Sequence, residues 1–167
     1  LRGTAVIARS NGQERTVMDT GDIKLPGVHN IENYLAAIAA VDGLVSDEVI
    51  RDFARTFGGV EHRIELIRTR RGVRWYNDSI ASSPSRTIAG LNSFPEKVIL
   101  IAGGKDKGIS YAPLGPVVNE HVKLLLLCGA TAGVIRQAVE QADNYAGLEI
   151  IDVADYQDAV SIADSRA

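Results

Sequence analysis

The apolar positions along this chain change their rhythm once, and the change divides the chain into two parts. Near the start, the short runs Thr4-Ala5-Val6-Ile7-Ala8 and Arg15-Thr16-Val17-Met18 lie on either side of Ser10-Asn11-Gly12-Gln13. Asn-Gly between two such runs is the strongest short hairpin signal, because both residues tolerate the positive φ angles of a tight turn. After the turn Leu25-Pro26-Gly27, the residues Ile31, Leu35, Ile38 and Ala39 recur at helical spacing over 31–41, and Asp42-Gly43 ends the run. Ser46 is placed to cap a second helix in which Val49, Ile50, Phe53 and Phe57 share a face. Gly58-Gly59 stops that helix and marks the expected domain boundary, giving parts 1–59 and 60–167.

Beyond the boundary, residues 64–69 and 73–76 read as a hairpin turning at Arg71-Gly72. Helices and short apolar strands then alternate: helix 85–93, strand 97–102, helix 112–120, strand 123–127, helix 132–141, strand 148–152 and helix 156–163. Buried strands separated by helices predict an α/β domain of Rossmann-like type, with a mostly parallel sheet covered on both faces. Residue 1 lies close to a strand and is not Met, and after the final helix the alternation predicts another strand. Both ends are therefore expected to be cut.

Composition narrows the function classes. With 46% hydrophobic and 23% charged residues, the chain matches ordinary globular proteins and has enough length for one core plus part of another. A net charge of -3 offers no basic excess to neutralise phosphates, so a nucleic-acid partner is not expected. The densest basic cluster, Arg68, Arg70, Arg71 and Arg74, surrounds the predicted turn and reads as a solvated hairpin tip. The single cysteine, Cys128, ends the run Leu124 to Leu127 and is expected to be buried. No apolar run approaches the roughly 20 residues that cross a bilayer, and no signal-peptide pattern opens the chain. A cytoplasmic protein without a membrane partner is expected.

Three clusters carry candidate chemistry. In His29-Asn30-Ile31-Glu32-Asn33, at the start of the first predicted helix, Asn30 is either its N-cap or, with Asn33 one turn later, one of two amides able to read the edge of a planar base. In Trp75-Tyr76-Asn77-Asp78-Ser79-Ile80-Ala81-Ser82-Ser83-Pro84, a strand leads into a hydroxyl-rich loop. Asp78 there is suited to ribose hydroxyls; the competing reading is a helix-capping loop that uses Ser82 or Ser83. In Ile101-Ala102-Gly103-Gly104-Lys105-Asp106-Lys107-Gly108, two glycines after a buried strand permit close backbone approach, and two lysines favour an anionic guest. This is not a phosphate-binding Gly-x-x-x-x-Gly-Lys-Ser/Thr loop, because Asp106 follows Gly104-Lys105.

In this order and at these separations the clusters resemble the Mur ligases of peptidoglycan synthesis, and among them the D-glutamate-adding branch. The resemblance rests on Leu25-Pro26-Gly27-Val28-His29-Asn30-Ile31-Glu32-Asn33 and on Gly59-Val60-Glu61-His62-Arg63-Ile64-Glu65. It continues through Trp75-Tyr76-Asn77-Asp78-Ser79-x-Ala81-Ser82 to Gly103-Gly104-x-x-Lys107-Gly108. It implies that residues 1–59 are the tail of a central ATP-using domain and that 60–167 are most of a C-terminal Rossmann-like domain. It implies ATP and Mg2+, with the phosphate loop, carbamylated lysine and Mg2+ ligands in sequence upstream of this chain. The implied substrates are UDP-N-acetylmuramoyl-L-alanine, D-glutamate and ATP, joined through an acyl phosphate.

Carried across by position, the resemblance implies that Asn30 and Asn33 contact adenine, that Arg63 approaches the nucleotide and that Asp78 holds the ribose. Ser82 and Lys107 would bind D-glutamate. His62 is read as structural, and His121 as a dipole partner at a helix end. Ile80 stands where the family often has lysine, which removes a charge from that loop. The chain alone is expected not to catalyse the ligation. Two other readings stay open: a folyl-polyglutamate-synthase-like ligase, which the loop from Asn77 to Ser82 opposes, and a non-catalytic Rossmann-like module that binds a nucleotide or an anion.

Overall fold

The structure is a computed structural model that describes residues 1–10 and 12–167, so Asn11 of the predicted turn lies outside the described residues. The chain forms two compact units, Leu1–Glu61 and His62–Ala167.

In the first unit, β1 (Ala5–Ser10) and β2 (Gln13–Asp19) pair antiparallel, followed by a 3-10 turn over Thr20–Asp22 and the helices α1 (Val28–Ala40) and α2 (Asp47–Thr56). Val6, Val17 and Met18 from the hairpin meet Tyr34 and Ile38 of α1 and Ile50 and Ala54 of α2 in one core. Helix α1 begins earlier than its periodicity predicts. Gly27, at φ 100°, occupies the N-cap, so Asn30 is not the cap but the third residue of the helix. The row turned inward is Asn30, Tyr34 and Ile38, whereas Ala39 is exposed. Packing of the Tyr34 ring fixes that row, and spacing alone defines only a broad stripe.

Ser46 does cap α2, its hydroxyl accepting from the Val49 amide at 3.4 Å. The inward row of α2 is Ile50 and Ala54, while Val49 and Phe53 are about half exposed, at 54% and 52%. The helix closes on the hairpin along the small Ala54 side chain, which turns Phe53 outward to stack on Phe57, with ring centroids 4.7 Å apart. Arg15 of β2 reaches both Asp42, at 2.6 Å, and Asp47, at 3.1 Å, tying the strand to the α1–α2 connection.

The second unit opens with the hairpin β3 (Glu65–Arg70) and β4 (Val73–Asn77). Arg71 and Gly72 both have positive φ, 52° and 83°, as the tight turn of a right-twisted hairpin requires. The arginines around it are exposed, and Arg70 pairs with Asp164 at 3.2 Å. Then follow α3 (Pro84–Leu91), β5 (Val98–Gly103), α4 (Leu114–His121), β6 (Val122–Cys128), α5 (Ala132–Glu140), β7 (Ile150–Asp152) and α6 (Tyr156–Arg166). Strands β5, β6 and β7 form a parallel sheet in that order, so the α/β architecture expected from the alternation is present.

Strand β6 is central, and its side chains alternate between the faces. Leu125 and Leu127 join Leu114, Val118, Ile135 and Val139 of α4 and α5. Leu124 and Leu126 join Ala159 and Ala163 of α6 on the other face, where Trp75 also packs. Each fully buried leucine contributes about 1.5–3 kcal/mol relative to exposure, which explains why an unbroken leucine run sits here. Cys128 is buried at the end of the strand. Asp155 caps α6, accepting from the Gln157 and Asp158 amides at 2.8 and 2.9 Å. His121 is the last residue of α4, where a cation would face the carbonyl end of the helix.

Candidate functional site

In the first unit, the turn at Pro26-Gly27 determines what the asparagines do. The Asn30 side chain is buried and folds back, its Nδ2 donating to the Pro26 carbonyl at 2.6 Å. Its Oδ1 faces the Asn33 amide one helical turn on, at 3.5 Å. The two amides are thus brought side by side, but with unequal freedom. Asn30 is anchored to the backbone and orients Asn33, which is exposed and carries the donors and acceptors available to a ligand.

In the second unit, the segment before β3 and the loop after β4 are tied together. Asp78 is half-buried, and its Oδ1 accepts from the Ile64 amide at 3.1 Å. Its Oδ2 lies 3.1 Å from the position a side chain on Gly90 of α3 would take, so glycine there makes room for the carboxylate. Arg63, the residue before Ile64, is exposed, and among the described residues its guanidinium has no hydrogen-bond or ion-pair partner. Ser82 is exposed at the end of the same loop. Ser83, not Ser82, is the N-cap of α3, through its backbone alone, with Pro84 as the first helical residue. Asp78 also lines a cavity of about 390 Å³ together with Ile64, Trp75, Tyr76, Leu91 and Phe94. Of those apolar walls, Leu91 and Phe94 lie outside the clusters read from the sequence.

The glycine loop after β5 differs from its expected role. Gly103 approaches the neighbouring strand, not an open ligand space: a Cβ there would lie 1.7 Å from the Cys128 carbonyl oxygen. Gly104 is the open position, with nothing nearer than the Tyr156 hydroxyl at 4.0 Å from its notional Cβ. Its backbone is held by Cys128 O, which accepts from its amide at 3.3 Å, and by buried Thr131, whose amide donates to Gly104 O at 3.2 Å. Lys105 and Lys107 both extend into solvent. Between them the Asp106 carboxylate accepts from the Gly108 amide at 2.8 Å, closing a tight turn with Lys107 at its tip. No hydrogen bond or ion pair joins Ser82 to Lys107 among the described residues.

Three residues at this edge escaped sequence reasoning: Gly129, Thr131 and Tyr156. A glycine directly after β6, matching Gly104 directly after β5, is the signal that would have found the first. Tyr156 gave none, because its relevance comes from α6 folding back over the sheet. Desolvation of its hydroxyl raises the Tyr156 phenol above its ordinary pKa and its contact with Cys128 adds to the rise, although the residue as a whole is exposed. Tyr156 therefore stays a neutral hydroxyl, able to donate or accept beside Gly104. Among the described residues no group of three or more His, Cys, Asp or Glu is placed to hold a metal ion. No helix among them is long and apolar enough to cross a membrane.

Comparison with known proteins adds to this geometry. Residues 62–167 match the family described as Mur ligase, glutamate ligase domain. The chain is 51% identical over 167 residues to the UDP-N-acetylmuramoylalanine–D-glutamate ligase of Acetivibrio thermocellus, covering 98% of this chain and 36% of that protein. It is 49% identical to the ligase of the same name from Ruminiclostridium cellulolyticum, covering 97% of this chain and 36% of the relative. The chain thus spans about a third of the length of these curated relatives. A solved pseudomurein peptide ligase type C from Methanothermus fervidus shares the fold, with a TM-score of 0.59 at 20% identity over 90% of this chain and 29% of that one.

Proposed function

The chain belongs to the Mur ligase family, with the glutamate ligase domain over residues 62–167, and from that premise we propose that it is part of an ATP-dependent ligase adding D-glutamate to UDP-N-acetylmuramoyl-L-alanine. The observation that carries this reading is near-50% identity, across almost the whole chain, to curated ligases named for that reaction. The geometry of the second unit supports it. Gly104 leaves an open backbone position in the loop that carries two exposed lysines, which suits an anionic amino acid.

On this reading the work divides between the residues of the chain and sequence it does not contain. ATP phosphorylates the substrate carboxylate, with Mg2+ held by residues outside this chain, and the D-glutamate amine then displaces phosphate from the acyl carbon. Asn33, oriented by Asn30, reads the adenine. Arg63 meets the nucleotide as a cation. Asp78, which also accepts from the Ile64 amide, hydrogen-bonds the ribose hydroxyls. Lys107, at the tip of its turn, neutralises a D-glutamate carboxylate, and Ser82 donates a hydroxyl to the same substrate. Catalysis would rest on positioning and charge neutralisation more than on covalent chemistry by the protein. A cytoplasmic site follows from the need for ATP and a nucleotide sugar. The 167 residues alone are not expected to ligate, since they contain no phosphate loop.

The test is Lys107→Ala in the full-length ligase. A charge-assisted hydrogen bond contributes about 1.5–3 kcal/mol. The KM for D-glutamate should therefore rise roughly 10- to 100-fold while that for ATP stays within twofold. Equal changes in both constants, or none, refute the assignment.

A further inference from the structure

The segment that presents Arg63 is held in an uncommon conformation. His62 and Ile64, on either side of it, have φ of 65° and 45°. The left-handed region is sparsely used by non-glycine residues and is a genuine outlier for a β-branched one. Such backbones persist only where their surroundings over-determine them. Four hydrogen bonds do so here. The His62 amide donates to Glu65 Oε2 at 2.8 Å, and the Ile64 amide donates to Asp78 Oδ1 at 3.1 Å. The Ile80 amide donates to the His62 carbonyl at 3.2 Å. The fourth joins the side chains of His62 and Asn77, with Nδ1 and Nδ2 2.8 Å apart.

The direction of that fourth bond follows from its neighbours. Asn77 Oδ1 accepts from the Ser79 amide at 3.1 Å, so Asn77 turns its NH2 towards the ring. His62 Nδ1 must then be the acceptor and carries no proton, which places the ring proton on Nε2. Glu65 Oε2, the charged group facing the ring, lies 3.8 Å from Nδ1, but its shorter bond goes to the His62 backbone amide. Glu65 therefore fixes the turn and leaves Nδ1 to Asn77.

We propose that His62 is a positioning residue: through Asn77 it locks the left-handed turn at 62–64 onto the loop after β4 and so fixes where the Arg63 guanidinium leaves the chain. The role given to Arg63 rests on the ligase reading above, but the lock itself does not. One consequence is that Arg63 and the Ser82 loop are positioned together, because Asn77 and Ile80 belong to the loop that ends at Ser82.

Two experiments test it. Imidazole 1H–15N correlation spectra of the intact 167-residue chain should show His62 as the Nε2–H tautomer with Nδ1 accepting; a proton on Nδ1 overturns the proposal. In the same chain, His62→Ala and Asn77→Ala, which remove the bond from opposite sides, should each shift the Arg63 Nε–H and Ile80 amide resonances. His62→Asn should restore them, because its Oδ1 can occupy the place of Nδ1 and Asn tolerates the left-handed backbone. Unmoved resonances, or the absence of rescue, refute it.

In the full-length ligase, His62→Ala should raise the KM for ATP about tenfold, leave that for D-glutamate within twofold, and be rescued by His62→Asn. Equal changes in both constants refute a role for His62 in positioning Arg63. If the full-length protein joins no D-glutamate to UDP-N-acetylmuramoyl-L-alanine while the chain-level spectra behave as stated, the ligase reading fails and the lock stands.

Discussion

Replacing Gly103 by alanine should destabilise the second unit severely, and for a reason that its place in a glycine-rich loop does not suggest. The new Cβ would lie 1.7 Å from the Cys128 carbonyl oxygen and 2.8 Å from its carbon, where real Cβ contacts stay beyond 3.0 Å. Neither atom belongs to a flexible side chain, since β5 and β6 are paired directly at Gly103 and Cys128. Relief therefore requires the strand ends to part by more than 1 Å. Overpacking of this kind costs about 1–3 kcal/mol or more. The φ of 146° adds strain of roughly 1–3 kcal/mol for a residue with a Cβ. Against a typical domain stability of about 5–15 kcal/mol, the combined loss should lower the melting temperature by roughly 10–20 °C. Trp75 is the single tryptophan and packs against the sheet in the second unit, so its fluorescence in urea follows that unit alone. The control is Gly104→Ala, which keeps a positive φ of 126° but meets nothing nearer than 4.0 Å. It should show only the conformational part of the loss. Equal midpoints for the two variants, or a Gly103→Ala midpoint unchanged from the parent, would falsify the claim that the strand contact dictates glycine.

Two further expectations follow from the same structure. Gly115→Ala should lose about 1–3 kcal/mol by the Trp75 assay, because its Cβ would lie 2.0 Å from the Ala138 carbonyl where α4 meets α5. Gly133→Ala, in α5 with nothing within 4 Å, should instead gain up to about 1 kcal/mol; effects of the same sign would refute the contact. In the first unit, a hydrogen bond from the Thr4 hydroxyl, and then one from the Gly21 amide, hold the Asp19 carboxyl below the usual aspartate range. That lowered value favours the ionised folded form, so its contribution is complete above the unfolded-state pKa and vanishes as pH falls through the folded one. Followed by the methyl resonance of Met18, the single methionine and a buried one, acid destabilisation should be shallower in Asp19→Asn. Parallel acid limbs would contradict the assignment.

What could be read in the sequence is what depends on near neighbours. The turn at Arg71-Gly72 needs positive φ at two adjacent positions, and the residues themselves announce it. The leucine run of β6 needs cover on both faces, and its composition says so before any helix is placed. Reading became less reliable where a distant partner decides. In α1 the periodicity marked an apolar stripe, but Tyr34 packing on the hairpin chose the row that turns Asn30 inward and leaves Ala39 exposed. At the site, Asp78, Ser82 and Lys107 stand on loops as expected, yet the bonding around them could not be foreseen. Asp78 reaches back fourteen positions to the Ile64 amide, and Asn77 fifteen to His62.

Gly103-Gly104 shows the same limit most sharply. A glycine in a sequence says that a side chain is excluded and is silent about what excludes it. Here the first glycine answers to a neighbouring strand, and only the second leaves space at the sheet edge. A ligand-binding reading of the pair should therefore weigh on Gly104 alone. Variation at Gly103 tests the fold, and variation at Gly104, with Tyr156 beside it, and at Lys107 tests the function.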